Sequence, residues 1–342
     1  MNEITRTAID TSKAVFTLHG VDGEGRAVLR RNVRRKELLR FFEQLPSVEV
    51  VLEACGGSHQ WGRSLMALGH RVRLIPAQYV KPFVKRGKND HNDAEAIAVA
   101  AAQPSIRAVP VKSVKAQART MLLTVRELLV RQRTQLANAL RGHAAEFGLV
   151  APLGDKGLAS LESEIATATE AEVPAEAKGA MALLGREITR IEARLAEIEV
   201  KLLRQHKADP TSQRLAGVPG IGPIGALSFA LRVEPGQFRS GRHFAAWLGL
   251  VPRECSTAGK QRLGGISRAG DERLRQLLVL GATAVIRYAK PGRPSASPWL
   301  LELLKRKPRK VAAVVALANK MARIVWAMLA NGEAYRPHPA TA

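Results

Sequence analysis

Short apolar runs alternate with amphipathic helical segments over the first part of the chain. Strands are predicted at "TRTAID", "AVFTLHG", "RAVLRRNV", "VEVVLEA" and "RVRLIP". Helices are predicted between and after them at "RRKELLRFFEQL", "GSHQWGRSLMALGH" and "HNDAEAIAVAAAQ". Strands that alternate with helices form a mixed or parallel sheet that is covered on both faces. We therefore expect an α/β domain over residues 1–105.

A long helical region is predicted next, over residues 106–206. Residues 112–147 carry leucine and valine at helical spacing with arginine on the other faces, and residues 151–180 predict a helical insertion or a flexible hairpin. A heptad seam follows, formed by Leu184, Ile188, Ile191, Leu195, Ile198 and Leu202. This seam fits either an antiparallel hairpin with the preceding helix or a dimerising coiled coil.

The remaining residues, 207–342, predict a mostly α-helical domain. Two helical stretches flank the glycine-rich turn in "LAGVPGIGPIG", which suits either a bound phosphate or a tight helix–turn–helix. Three helices are predicted at about 271–289, 297–306 and 310–331. The last helix is apolar, but Asn319, Lys320 and Arg323 interrupt it, so we expect a buried helix and no membrane span.

Charge narrows the class of partner. The chain has 53 basic and 30 acidic residues, a net charge of +23, which exceeds what solubility requires. A surplus of this size predicts a nucleic-acid partner. The two cysteines, Cys55 and Cys255, lie far apart in the chain, and the first residues contain no apolar signal core. We therefore expect a cytoplasmic protein without disulfides.

Four carboxylates stand out in the α/β domain. Asp10 and Glu53 end predicted strands, and Asp90 and Asp93 lie three residues apart at a helix start. Strand ends converge on one edge of such a sheet, so these groups could hold two Mg²⁺ ions for phosphoryl transfer. A turn at Asp10 and helix capping by Asp90 or Asp93 are the plainer interpretations. Lys13 and Lys88 flank these residues and are candidates for binding substrate phosphates.

A second candidate site is the polar loop "VPRECSTAGKQRLGGISRAGDERL". Ser256 lies in this loop among basic residues, which is what covalent attack on a phosphodiester requires. An ordinary turn at "STAG" is the plainer interpretation. The basic residues that could bind phosphate are Arg253, Lys260, Arg262 and Arg268.

At these motifs the sequence resembles the DEDD transposases of bacterial insertion sequences, a family of RNA-guided bridge recombinases. "AIDTSK", "LEACGGSH" and "GKNDHNDAEAIA" are similar to the three acidic motifs of the family. "GLVPRECSTAGKQRLGGISRAGD" is similar to the hallmark of its C-terminal transposase domain. The motifs occur in the family's order over nearly the whole chain.

The resemblance implies an RNase H-like (RuvC-like) N-terminal domain in which Asp10, Glu53, Asp90 and Asp93 bind Mg²⁺, with Mn²⁺ as a substitute. It implies a serine nucleophile, which falls on Ser256 counted back from "SRAG" and on Thr257 counted forward from "VPR"; serine is the better attacker. It further implies donor and target DNA, a structured guide RNA and a homo-oligomer, dimer or tetramer. Such an enzyme would be associated with the bacterial nucleoid when it acts.

Two other functions fit the same residues. A junction-resolving endonuclease would use the acidic residues with water as the attacking group, and it would not need Ser256. A non-catalytic nucleic-acid-binding scaffold would need neither site. Recombination predicts a covalent protein–DNA adduct, resolution predicts free ends, and a scaffold predicts salt-sensitive binding alone.

Overall fold

The computed structural model describes residues 3–85, 87, 89–290, 297–306 and 310–336. The chain divides into two compact units, residues 1–117 and 118–342. The finer division into domains at residues 1–105, 106–206 and 207–342 stays a prediction.

The first unit contains a five-stranded mixed sheet in the order β3-β2-β1-β4-β5. Its strands are β1 (Arg6–Asp10), β2 (Val15–Val21), β3 (Ala27–Arg34), β4 (Glu49–Glu53) and β5 (Arg71–Ile75). β1 pairs antiparallel with β2 and parallel with β4, and β5 continues the parallel half of the sheet. An antiparallel meander that continues into parallel strands is the RNase H-like arrangement. The predicted fold class is confirmed, and the rest of the described chain is largely helical.

Helices cover both faces of this sheet. On one face, α1 (Leu38–Glu43) and α2 (Ser58–Ala67) bury large side chains such as Phe16 and Trp61. On the other face, α3 (Ala77–Val80) and α4 (Asp90–Ala102) pack on the sheet through small side chains, among them Ala8 of β1 and Ala96 and Ala100 of α4. Since alanine takes little space, α4 lies close to the sheet, and its first turn lies beside the end of β1.

The second unit begins with long helices. They are α5 (Val114–Ala145, whose first residues belong to the first unit), α6 (Asp155–Thr167) and α7 (Ala175–Lys207). Ion pairs join Arg126 to Glu199 at 2.6 Å and Arg133 to Glu192 at 2.7 Å, so α5 and α7 run antiparallel. Ile188 of the heptad seam is buried in one cluster with residues of α5 and α6. Within this chain the seam therefore forms an intramolecular hairpin.

A larger core follows, built from short helices around one long helix. The helices are α8 (Pro210–Leu215), α9 (Pro223–Arg232), α10 (Gly241–Trp247), α11 (Glu272–Arg287), α12 (Pro298–Arg306) and α13 (Lys310–Asn331), and two strands, β6 (Pro252–Glu254) and β7 (Leu263–Ile266), lie between α10 and α11. Among the described residues, α13 alone is long and apolar enough to cross a membrane by length and composition. Met321 and Val325 on one of its faces are buried in this core.

The glycine-rich turn between α8 and α9 has a packing role. Gly220 has φ +86°, and a Cβ built there would lie 2.7 Å from the carbonyl oxygen of Gly281 in α11. Side chains at this position are therefore excluded by the close approach of two backbones. This contact supports the helix–turn–helix interpretation of the turn.

Candidate active site

Three carboxylates meet at the carboxyl end of β1. Asp10 ends that strand, while Asp90 and Asp93 occupy the first turn of α4. Each offers an oxygen, and these oxygens all lie within 4.8 Å of one another. We call these three residues the acidic cluster. Oxygens this close suit a shared divalent cation with hard oxygen ligands.

Helix capping does not account for the two aspartates of α4. The N-cap is Asn89, whose side-chain oxygen accepts a hydrogen bond from the backbone N–H of His91 at 2.8 Å. The cap position is therefore filled, and the Asp90 and Asp93 carboxylates remain at the mouth of the site.

Glu53 lies in the same cleft but outside the group of three. It ends β4, which is the parallel neighbour of β1. Together with Asp10 and Asp93 it lines a cavity of about 420 Å³. Lys81 also lines this cavity, and the sequence pattern "YVKPF" did not single it out.

Burial and like charges act together on these carboxyls. The pKa of Asp10 rises to about 6, first because the group is buried and then because Asp93, Asp90 and Glu53 lie near it. The pKa of Glu53 is also raised, by burial and by the charge of Asp93. Ionised carboxylates that repel one another are stabilised by a cation placed between them. The donor set therefore fits a divalent metal.

The predicted phosphate-binding lysines near this cleft differ from one another. Lys13 is exposed in the loop between β1 and β2. A further lysine, Lys85, pairs with Glu95 of α4 at 2.6 Å and so ties the preceding segment to that helix. Lys88 lies outside the described residues.

The segment predicted to be a polar loop around Ser256 is a β-hairpin, which the sequence pattern did not predict. β6 and β7 pair antiparallel, and the Cys255 N–H donates to the Arg262 carbonyl at 2.9 Å. Ala258 and Gly259 form the tip with φ values of 48° and 77°. Two successive residues with positive φ are typical of a type I′ turn. The Ala-Gly pair between Thr257 and Lys260 was the available signal. We call residues 252–266 the serine hairpin.

Ser256 has two hydrogen-bond partners in the serine hairpin. Its Oγ donates to Glu254 Oε1 at 3.0 Å and accepts from the Arg262 N–H at 3.1 Å. The serine is exposed, and so are the basic residues predicted around it: Arg253, Lys260, Arg262 and Arg268. Arg268 adopts φ 56° beyond β7, and its N–H donates to the Gly249 carbonyl.

The acidic cluster is built within the first unit, and the serine hairpin is built within the second. An acidic cluster at the edge of an RNase H-like sheet is the signature of nucleases and transferases that use a metal to move phosphoryl groups on nucleic acid.

Comparison with known proteins defines the family. The profile described as "Transposase IS116/IS110/IS902 family" matches residues 212–296, and the DEDD transposase profile of the same IS110 group matches residues 7–147. The chain belongs to the IS110 family of insertion-sequence transposases. It is a DNA phosphoryl-transfer enzyme, and DNA is its substrate. The resemblance drawn from the motifs is thereby confirmed.

Similar proteins match nearly from end to end. A Sinorhizobium fredii protein named as a transposase is 48% identical over 338 residues, covering 98% of this chain and 87% of that protein. The transposase for insertion sequence element IS1111A of Coxiella burnetii is 39% identical, covering 98% and 92%. The transposase for insertion sequence element IS1328 of Yersinia enterocolitica is 36% identical, covering 98% and 99%.

Proposed function

We propose that this transposase moves its element by site-specific recombination in which Ser256 becomes covalently joined to DNA. The observation that carries the proposal is the geometry of the serine hairpin. An exposed hydroxyl is hydrogen-bonded to the Glu254 carboxylate, and the same hairpin carries the exposed basic residues Arg253, Lys260 and Arg262. This combines a nucleophile, a proton acceptor and cations that bind phosphate.

The covalent step exchanges one phosphate ester bond for another. The Ser256 oxygen forms a bond to phosphorus, and its proton passes to the Glu254 carboxylate. One P–O ester bond breaks, and the departing deoxyribose oxygen takes up a proton from solvent. The Arg262 side chain and its neighbours stabilise the negative charge that develops on the phosphoryl oxygens. Thr257 is the alternative attacker, at the adjacent position.

Asp10, Asp90 and Asp93 would hold Mg²⁺, with Glu53 contributing from the same cleft. Two such ions, which Mn²⁺ could replace, supply Lewis-acid activation of an attacking oxygen and stabilisation of a leaving oxygen. The fit rests on the close approach of the three aspartates and on the raised pKa of Asp10. The polypeptide contributes a capped helix that fixes two of the ligands.

A structured RNA from the element would pair with donor and target DNA. The net charge of +23 supports this proposal, because a protein that leaves sequence reading to base pairing must bind several backbones at once. Homo-oligomers would join the acidic site of one protomer to the serine of another. The reaction would take place in the cytoplasm at the nucleoid.

The test uses purified protein, the RNA from the flank of its element, end-labelled donor and target DNA, and Mg²⁺. A denaturing gel is examined for DNA that migrates with the protein and is released by protease. Wild type is compared with Ser256→Ala, Thr257→Ala and Asp90→Ala. Ser267→Ala serves as a matched control, since Ser267 lies just beyond β7 and outside the Glu254 contact.

The proposal expects an adduct in wild type, Thr257→Ala and Ser267→Ala, and none in Ser256→Ala or Asp90→Ala. Omission of the RNA should also abolish the adduct. Free cleaved ends that persist in Ser256→Ala would instead identify a resolvase-like nuclease with water as the attacker. An adduct that is lost only in Thr257→Ala would move the nucleophile by one residue.

A further inference from the structure

The acidic cluster lies beside a basic strand end that none of the predicted site residues includes. β3 is the edge strand of the sheet, and it runs parallel to β1 because each pairs antiparallel with β2. The carboxyl end of β3 therefore lies at the same end of the strands as Asp10. Two consecutive arginines, Arg34 and Arg35, stand at this end, and both are exposed.

Strand register places the first arginine on the face of the acidic cluster. Asp10 is opposite Thr17, and Thr17 is opposite Asn32 on β3. The Thr17 hydroxyl donates to Asn32 Oδ1 at 3.0 Å, which shows that these two side chains share a face. Since side chains alternate along a strand, Arg34 shares that face with Asn32. Two strand spacings, about 10 Å, separate Asn32 from Asp10.

The second arginine is fixed at the sheet edge by aromatic rings. The Arg35 guanidinium lies 5.0 Å from the Trp61 ring centroid and 5.6 Å from that of Phe16. It also donates to the carbonyl of Ser12, two residues beyond Asp10, at 3.4 Å. Stacking on rings orders a guanidinium while leaving its other N–H groups available for an anion.

The charges of the two arginines are not matched by neighbouring carboxylates. Within the described ranges, neither Arg34 nor Arg35 takes part in an ion pair, whereas Arg30 on the same strand lies 3.9 Å from Glu95. Charged residues on an edge strand also prevent sheet-to-sheet association, and that role would need no order at Arg35. The ring contacts therefore favour a binding role.

We propose that Arg34 and Arg35 form a binding site for the phosphodiester backbone of the DNA strand that enters the acidic cluster. Arg34 contacts a phosphate on the face of Asp10, and Arg35 contacts a neighbouring phosphate at the sheet edge. Arginine suits this task because its planar fork matches two phosphate oxygens. The two contacts hold the strand in place without reading its sequence.

The test measures DNA affinity of the full-length protein as a function of salt. Fluorescence anisotropy of a labelled duplex is recorded in Ca²⁺, so that binding is separated from cleavage, from about 50 to about 200 mM NaCl. The variants are Arg34→Ala, Arg35→Ala, the double variant and Arg35→Lys. Arg71→Ala is the matched control: it is exposed and begins β5, at the opposite edge of the sheet.

The slope of log K against log salt is negative. Each alanine variant should make it less steep by about 1, and the double variant by about 2. The double variant should bind about tenfold more weakly at the higher salt, whereas Arg71→Ala keeps the wild-type slope. Arg35→Lys should keep the slope because it keeps the charge.

Three outcomes would overturn the proposal. One is a double variant whose slope equals that of wild type or whose loss is matched by Arg71→Ala. Another is an Arg35→Lys variant that loses as much slope as Arg35→Ala, since the arginine would then act through ring packing. The third is unchanged affinity for the duplex with weaker binding of a labelled structured RNA, which would assign these arginines to RNA.

Discussion

The Ser256 hydroxyl donates a hydrogen bond to the carboxylate of Glu254, two residues earlier in the serine hairpin, at 3.0 Å. Both residues are exposed, and the Arg262 backbone N–H completes the environment of the serine oxygen. The pair sits in the serine hairpin, within the part of the chain that matches the C-terminal transposase profile.

Glu254→Gln should slow formation of the covalent adduct by roughly 100-fold, within the range of general acid–base effects. Glutamine keeps the shape and can accept a hydrogen bond, but it cannot take up the proton. The measurement is a time course of protein-linked DNA.

The matched control for this variant is Glu272→Gln, an exposed carboxylate at the start of α11 that hydrogen-bonds Gln276. It should leave the time course unchanged. Wild-type rates in Glu254→Gln would show that the carboxylate only positions the serine or has no part in the step.

Asp10→Asn should make the metal-free protein more stable while abolishing its activity. The pKa of Asp10 is raised from 3.8 to about 6, so the ionised group destabilises the folded state. By linkage, ionised Asp10 lowers the free energy of unfolding by its full amount above pH 6, and this destabilisation disappears as the pH falls towards 3.8. The melting temperature without metal should rise by a few degrees at neutral pH.

Added Mg²⁺ should narrow and then reverse this difference in melting temperature. The wild-type melting temperature should increase with Mg²⁺ by mass action, and that of Asp10→Asn should increase much less. Glu43→Gln, at the exposed end of α1, is the control and should follow wild type. A melting temperature of metal-free Asp10→Asn below that of wild type would contradict the prediction.

Glu49→Gln should destabilise the first unit by about 2 kcal/mol, as expected for loss of a charged hydrogen bond. Glu49 pairs with Arg6 and with Arg73, the latter at 3.1 Å. Burial by itself would raise the pKa of Glu49, but these two arginines outweigh burial and the net pKa is lowered.

The pH dependence checks the cause. Because the folded-state pKa is lowered, the stabilisation is present above the ordinary value of 4.5 and is lost as the pH falls below it. Urea denaturation at neutral and acidic pH should show the difference between wild type and Glu49→Gln shrinking with acid. The prediction would be refuted if the difference in the free energy of unfolding were independent of pH. It would also be refuted if the exposed control Glu37→Gln showed an equal difference.

Gly220→Ala should destabilise the second unit by about 3 kcal/mol, combining an unfavourable positive φ with a steric clash. The nearest obstacle is the backbone of Gly281, which cannot move without displacing α11. Gly222→Ala is the matched control, because a Cβ there meets nothing within 4 Å. Thermal unfolding followed by circular dichroism measures both. Equal melting temperatures would show that the two helices separate easily.

Much of the first unit is predictable because its strands are β-branched runs with clear ends. Asp10 and Glu53 do end β1 and β4. Their proximity depends on β4 lying next to β1, and local patterns do not determine the order of strands in a sheet. Likewise, the sequence left Asp90 and Asp93 as possible caps, and the structure shows that Asn89 takes the cap position.

The second unit was harder to predict where polar contacts decide the structure. The heptad seam of α7 left its partner open, and the pairing of Arg126 with Glu199 identifies α5 as that partner. The serine hairpin has no apolar alternation because both of its strands are largely exposed, so hydrophobic periodicity could not reveal it. Its strands are joined by backbone hydrogen bonds, which almost any side chains permit.

The contact between Ser256 and its proton acceptor depends on the number of residues that separate Ser256 from Glu254. Ser256 faces Glu254 because an even step separates them along one arm of the hairpin, which the backbone hydrogen bonds of Cys255 and Thr257 continue beyond β6. One residue inserted between them would send the hydroxyl to the opposite side of the ribbon, away from its proton acceptor, without removing a single side chain. Two inserted residues would restore the side but shift the hydroxyl by nearly 7 Å. We therefore expect a change of length between Glu254 and Ser256 to be as damaging as the loss of the nucleophile.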